Sequence, residues 1–123
     1  MGLFSFSKKS EQSKINWNHI TTVEELNQAI ADTDNVTGIF FKHSTRCSIS
    51  SMALNRFESS WEQDDNSKLY FIDLISNRDV SNSISELMGV MHQSPQVIVV
   101  KNGKEIYNAS HNGISASDIK NSI

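Results

Sequence analysis

Gly38-Ile39-Phe40-Phe41-Lys42-His43-Ser44-Thr45-Arg46-Cys47-Ser48-Ile49-Ser50 runs from a continuous apolar stretch through a polar turn into a helical pattern. Gly38 to Phe41 predicts a strand buried on both faces, as in a sheet covered by helices on each side. From Ser48 to about Gln63 there is neither Gly nor Pro. Ile49, Ala53, Phe57 and Trp61 fall four apart, with Met52 beside them, so one helical face is predicted to be apolar. Cys47, the only cysteine of the chain, stands where the turn becomes the helix.

Outward from this stretch the elements alternate. Val23, Leu26, Ala29 and Ile30 predict a helix upstream, capped by Thr21 or Thr22. A short strand is expected within Ile15 to Ile20. Leu69 to Ile75 reads as a second buried strand, interrupted by Asp73. Val80, Ile84, Leu87, Met88 and Met91 predict another helix. Gln96 to Val100 is a Val- and Ile-rich strand. Asn102-Gly103 supplies the two positive-φ residues of a tight hairpin turn, and Glu105 to Asn108 returns beside that strand. Ser115 and Asp118 mark the start of a last helix that carries Ile119 and Ile123. Alternating strands and helices favour parallel pairing, and the terminal hairpin adds antiparallel strands. The expected class is α/β: a thioredoxin-like fold over residues 15–123, with a mixed central sheet of four to five strands flanked by helices. Residues 1–14 are expected to form a flexible tail. Leu3, Phe4 and Phe6 beside Lys8 and Lys9 leave a membrane-surface role as the weaker alternative for that tail.

Composition narrows the function. The chain has 123 residues, with 11 Lys and Arg against 14 Asp and Glu, for a formal charge of −3. That balance argues against binding nucleic acid through bulk charge. No apolar run approaches the ~20 residues of a spanning helix, and the first residues lack the pattern of a secretory signal. The expected setting is the cytosol, and a monomer is the default. One cysteine allows no internal disulfide. His19, His43, His92 and His111 are spread without an i, i+4 pair, so no metal site is expected.

The position of Cys47 is chemically informative. A lone cysteine in a cytosolic domain is commonly an inert core residue. At a helix N-terminus, free amides and the helix dipole instead favour a thiolate. Arg46, Lys42 and His43 are expected to add positive potential. A stabilised thiolate is also the better leaving group, so the placement suits a sulfur that attacks and is then displaced. Two-cysteine oxidoreductases carry a second thiol three residues on. Ser50 fills that position here and cannot resolve a mixed disulfide. It is expected either to hydrogen-bond at the helix start or to contact the thiolate. Pro95, the only proline, directly precedes a strand. It is either an ordinary strand-start proline or, in a thioredoxin-like fold, the cis-proline that faces the active cysteine and presents backbone to an extended substrate.

Lys42 to Ser50, Gly89-Val90-Met91-His92-Gln93-Ser94-Pro95-Gln96-Val97 and Lys101-Asn102-Gly103-Lys104 together resemble the YtxJ-like proteins of the bacillithiol system, the monothiol bacilliredoxins. Asn108 to His111 and Ile114-Ser115 also fit. The resemblance runs from about Thr21 to the C-terminus. It implies removal of bacillithiol from protein mixed disulfides, with Cys47 as the catalytic thiol and bacillithiol as co-substrate, no cofactor being bound. Ser94 and Pro95 would position the disulfide. Thr45, Arg46 and Ser50 are further candidates for contact with substrate. The implied partners are S-bacillithiolated client proteins and bacillithiol, without nucleic acid or membrane. The family usually places Pro directly after the cysteine; Ser48 stands there in this chain. Glutathione or coenzyme A as the small thiol stays open. So do two other readings: an iron–sulfur cluster module of the monothiol-glutaredoxin kind, and a non-catalytic adaptor marked by modification of Cys47.

Overall fold

The computed structural model describes residues 15–123. The tail predicted over 1–14 lies outside the described residues. In chain order the elements are β1 (Asn18–His19), α1 (Val23–Asp32), β2 (Thr37–His43), α2 (Ser48–Ser60), β3 (Ser67–Asp73), α3 (Arg78–Met88), β4 (Gln96–Lys101), β5 (Lys104–Ser110), a 3₁₀ turn (His111–Gly113) and α4 (Ala116–Ser122). The five strands form one sheet in the order β1-β3-β2-β4-β5. β3 lies parallel to β1 and β2; β4 lies antiparallel to β2 and β5.

β2 is central, and all seven of its residues are buried. Alternate side chains therefore feed two separate cores. Ile39 and Phe41 join Ala53, Phe57 and Trp61 on the α2 side, with Ile119 of α4. Phe40 joins Leu26 and Ala29 of α1 and Val80 and Ile84 of α3. Each fully buried Phe, Leu or Ile contributes roughly 1.5–3 kcal/mol relative to exposure. Trp17 packs against Phe41, Phe57 and Phe71 and extends the first core across the sheet edge.

Local signals explain the element ends. Thr22 caps α1: its side chain accepts the Glu25 N–H, while the Glu25 carboxylate accepts the Thr22 N–H, a complete capping box. Asn102 (φ 53°) and Gly103 (φ 75°) carry the predicted hairpin turn. Ser115 accepts the Asp118 N–H at the start of α4.

Several sequence expectations are corrected. β3 ends at Asp73, because its carboxylate accepts the N–H groups of Ile75 and Ser76 and turns the chain. Met91 lies beyond α3, which closes at the left-handed Gly89. Ile49 and Met52 are 54 % and 66 % exposed, so they do not belong to the core face of α2. That face is headed by Ser50, followed by Ala53 and Phe57.

Candidate active site at the end of the central strand

Cys47 occupies the N-cap of α2, with extended backbone (φ −117°, ψ 121°). It is the free thiol of the chain and is half-buried. The Cys47 N–H closes the preceding turn on the Ser44 carbonyl at 3.2 Å, and the Cys47 carbonyl accepts the Ser51 N–H at 3.1 Å. An N-cap side chain lies beside the unpaired amides of the first helical turn, which suits a sulfur bearing negative charge. Thr45 and Arg46 are exposed in the turn before it.

The antiparallel pairing of β2 with β4 brings the second loop to the same end of the sheet. Lys42 pairs with Gln96, so the residues just before Gln96 lie beside the exit of β2. The Ser94–Pro95 bond is cis. Pro95 is buried, and its carbonyl accepts the His111 N–H at 3.0 Å. Gln96 holds the loop from within: its side chain donates to the Met91 carbonyl and accepts the Gln93 N–H. The Ser94 hydroxyl is buried without a hydrogen-bond partner among the described residues. Cys47, Ser94 and Pro95 are thus presented at one end of the sheet by two adjacent strands.

The last two residues of β2 point to opposite faces, as the strand period requires. His43 turns toward α2. Its Nδ1 lies 2.7 Å from the Ser50 hydroxyl, and the same hydroxyl oxygen accepts the Ser44 N–H at 3.0 Å. Ser50 is fully buried. Of the two roles open to it, the hydrogen bonds place it at the helix start. Burial holds the His43 imidazole below the usual histidine range, against the pull of Asp73 and Glu58 toward the charged form. Lys42 turns the other way, toward α3. Its ammonium donates to Ser85 Oγ at 2.8 Å and to His92 Nδ1 at 2.9 Å, and the side chain is fully buried. Burial pushes the Lys42 amine down to about 8. The expectation that both residues lend positive potential to Cys47 is therefore corrected: His43 is held neutral, and the Lys42 charge is spent on the opposite face.

Sequence reading missed three supports. His92 closes the Lys42 site and is itself pushed down by burial and by the Lys42 and Arg78 charges. Gln96 pins the loop that contains Pro95. Arg56 of α2 donates to the carbonyls of His111 and Ile114, fixing the turn that in turn holds Pro95. No spacing rule reveals such long-range pairs; the hint is a polar residue at the end of an apolar run, as with Lys42 and Gln96.

A sheet of this order with a cysteine at the N-cap after its central strand and a cis-proline just before the neighbouring one has the architecture of a thioredoxin-like thiol oxidoreductase. A family model described as monothiol bacilliredoxin BrxC matches residues 18–119. The chain belongs to the monothiol bacilliredoxin family. Among solved structures, one described as an oxidoreductase with a thioredoxin fold is 25 % identical, with a TM-score of 0.76 over 86 % of this chain and 92 % of its own. Thioredoxin from Malassezia sympodialis is 15 % identical, with a TM-score of 0.69 and 89 % coverage of both chains. Thioredoxin from Fasciola hepatica is 16 % identical, with a TM-score of 0.67 over 86 % of this chain and 95 % of its own. These last two speak for the fold alone. Among the described residues, no helix is long and apolar enough to cross a membrane.

Proposed function

We propose that the protein removes bacillithiol from S-bacillithiolated client proteins by thiol–disulfide exchange at Cys47. The observation that carries this reading is a half-exposed, unpaired thiol at the N-cap of α2 with a hydroxyl, not a second thiol, at position 50. The Cys47 thiolate attacks the bacillithiol sulfur of the mixed disulfide. The client–bacillithiol S–S bond breaks, a Cys47–bacillithiol bond forms, and the client thiolate leaves and takes a proton. A second bacillithiol thiolate then attacks the bacillithiol sulfur on Cys47, releasing bacillithiol disulfide and the Cys47 thiolate. The second step needs an outside thiol, because the chain has no other cysteine.

Ser94 supports the reading with a free hydroxyl next to Pro95. The exposure of Thr45 and Arg46 just before the thiol supports a role for them in contacting the polar groups of the small thiol. Ser50 acts from behind, through the turn. Exposed Ile49 and Met52 on α2, and Met91 on the Pro95 loop, offer apolar contact to a client chain. Cytosolic, monomeric action with no bound cofactor belongs to the same proposal. The test is Cys47→Ser assayed on an S-bacillithiolated client. Release of the client thiol should be abolished, with a stability change under about 1 kcal/mol. Retained turnover would overturn the reading.

A further inference from the structure

The hydrogen-bond inventory around Ser50 fixes more than a fold contact. A hydroxyl has one proton and accepts through its lone pairs. The Ser44 N–H occupies an acceptor position on Ser50 Oγ. The hydroxyl proton then needs an acceptor within this buried site, and His43 Nδ1 at 2.7 Å is the one in reach. This arrangement requires an unprotonated Nδ1, with the ring proton on Nε2. A protonated ring would present N–H at both nitrogens, and the Ser50 proton would be left facing a donor. The second lone pair of Ser50 Oγ would then accept the Nδ1–H beside the Ser44 N–H, but the hydroxyl proton would lose its acceptor inside the buried site, which weakens the anchor that Ser50 gives Ser44. Ser44 in turn supplies the carbonyl that accepts the Cys47 N–H. The chain of contacts therefore runs His43, Ser50, Ser44, Cys47.

We propose that His43 is a positioning residue for Cys47: through Ser50, its unprotonated Nδ1 fixes the Ser44–Cys47 turn, and protonation of the ring loosens that turn and slows attack by the thiolate. The inference rests on the exchange chemistry proposed for Cys47. The groups facing the imidazole are Asp73 across the strand pair, Glu58 of α2, the Phe71 ring and the Ser50 hydroxyl. Glu58 is already engaged by the Trp17 indole N–H, and Asp73 by Ile75 and Ser76. The two carboxylates favour a charged ring and burial opposes it, with burial the larger effect. The protonation step therefore falls below the ordinary histidine value of about 6.5.

The test is single-turnover reaction of the full, reduced chain with 5,5′-dithiobis(2-nitrobenzoate), followed across the acid range. The Cys47 thiolate attacks one sulfur of the probe, a mixed disulfide forms, the probe S–S bond breaks, and coloured thionitrobenzoate leaves. In the wild type, log rate should fall with unit slope for the sulfur proton and should drop by about a further tenfold, as a local steepening, where His43 takes its proton. His43→Asn keeps an acceptor near the Nδ1 position but does not titrate; it should react at close to the wild-type rate at neutral pH, with a slope of about one. His43→Phe should be about tenfold slower at neutral pH, the worth of one lost hydrogen bond, again with a slope of one. Should that variant fail to fold, Ser50→Ala leaves His43 in place and should give the same tenfold loss and unit slope. A wild-type profile of unit slope throughout, a steepening that persists in His43→Asn, or a wild-type rate in Ser50→Ala would each overturn the proposal. Because the probe contains no bacillithiol, these outcomes are separable from failure of the client reaction in the Cys47→Ser comparison.

Discussion

Lys42 and His43 are neighbours in the chain, both buried and both titratable, yet they solve burial in opposite ways. His43 gives up its charge. As a neutral ring it is both donor and acceptor, so one nitrogen serves Ser50 and the Cys47 turn. Lys42 keeps an ammonium whose recorded partners, Ser85 Oγ and His92 Nδ1, are both neutral. An ammonium has only donors, so in that form it cannot become a relay; it ties β2 to α3 and to the loop that leads to Pro95. One strand end thus holds the two halves of the site by different means. The α2 half is held by a neutral network whose cost appears when a member is lost. The α3 half is held by a desolvated cation whose cost is present in the native protein at neutral pH.

The largest effect that would separate the two is the pH dependence of stability. The Lys42 amine lies near 8 when folded and near 10.5 when unfolded. Between these values the unfolded chain binds more protons, so stability rises with pH through that window. Relative to Lys42→Met, the wild type should gain roughly 2 kcal/mol from pH 8 to 10.5, after discounting for water that reaches the amine past exposed His92. Urea unfolding of both proteins at the two pH values checks it. A constant difference would mean that the amine is not desolvated.

A smaller loss is expected from Ser50→Ala, which strands His43 Nδ1 and the Ser44 N–H together. About 1–2 kcal/mol should be lost at neutral pH. Lys42→Met at the same pH should stay within about 1 kcal/mol of wild type, since losing two hydrogen bonds is offset by removing a buried charge. Equal costs for the two variants would erase the contrast between the halves.

The smallest effect belongs to His92→Ala. His92 is exposed, so stability should move by under about 0.5 kcal/mol. The change should open Lys42 to water and return its amine toward 10.5, readable as a shift in the 15N resonance of Nζ against pH. An unmoved titration would assign the low value to the protein interior alone.

The contrast also shows what the sequence could convey. The strand–turn–helix around Cys47, the capping box at Thr22, the Asn102-Gly103 turn and the strand after Pro95 are local, and local chemistry specifies them. The class of the sheet follows from their order. The supports of the site are not local. Ser50 heads the buried stripe of α2, but a hydrophobic pattern selects Ile49 and Met52, which are exposed. Gly38 to Phe41 reads as the buried strand and Lys42 as part of the polar turn after it, whereas the strand continues through Lys42 to His43. His92 and Lys42 are fifty residues apart and meet only because β2 passes beside α3 and the loop that follows it.

The central claim is that Cys47 takes bacillithiol from a client and holds it for want of a second thiol. Intact-mass spectrometry of a single turnover tests it most directly: fully reduced protein is mixed with an equimolar S-bacillithiolated client, quenched with acid and weighed. Each client molecule losing one bacillithiol should be matched by one gain on this chain, located at Cys47, with no further reaction until free bacillithiol is added. A client that keeps its bacillithiol while Cys47 stays unmodified would contradict it.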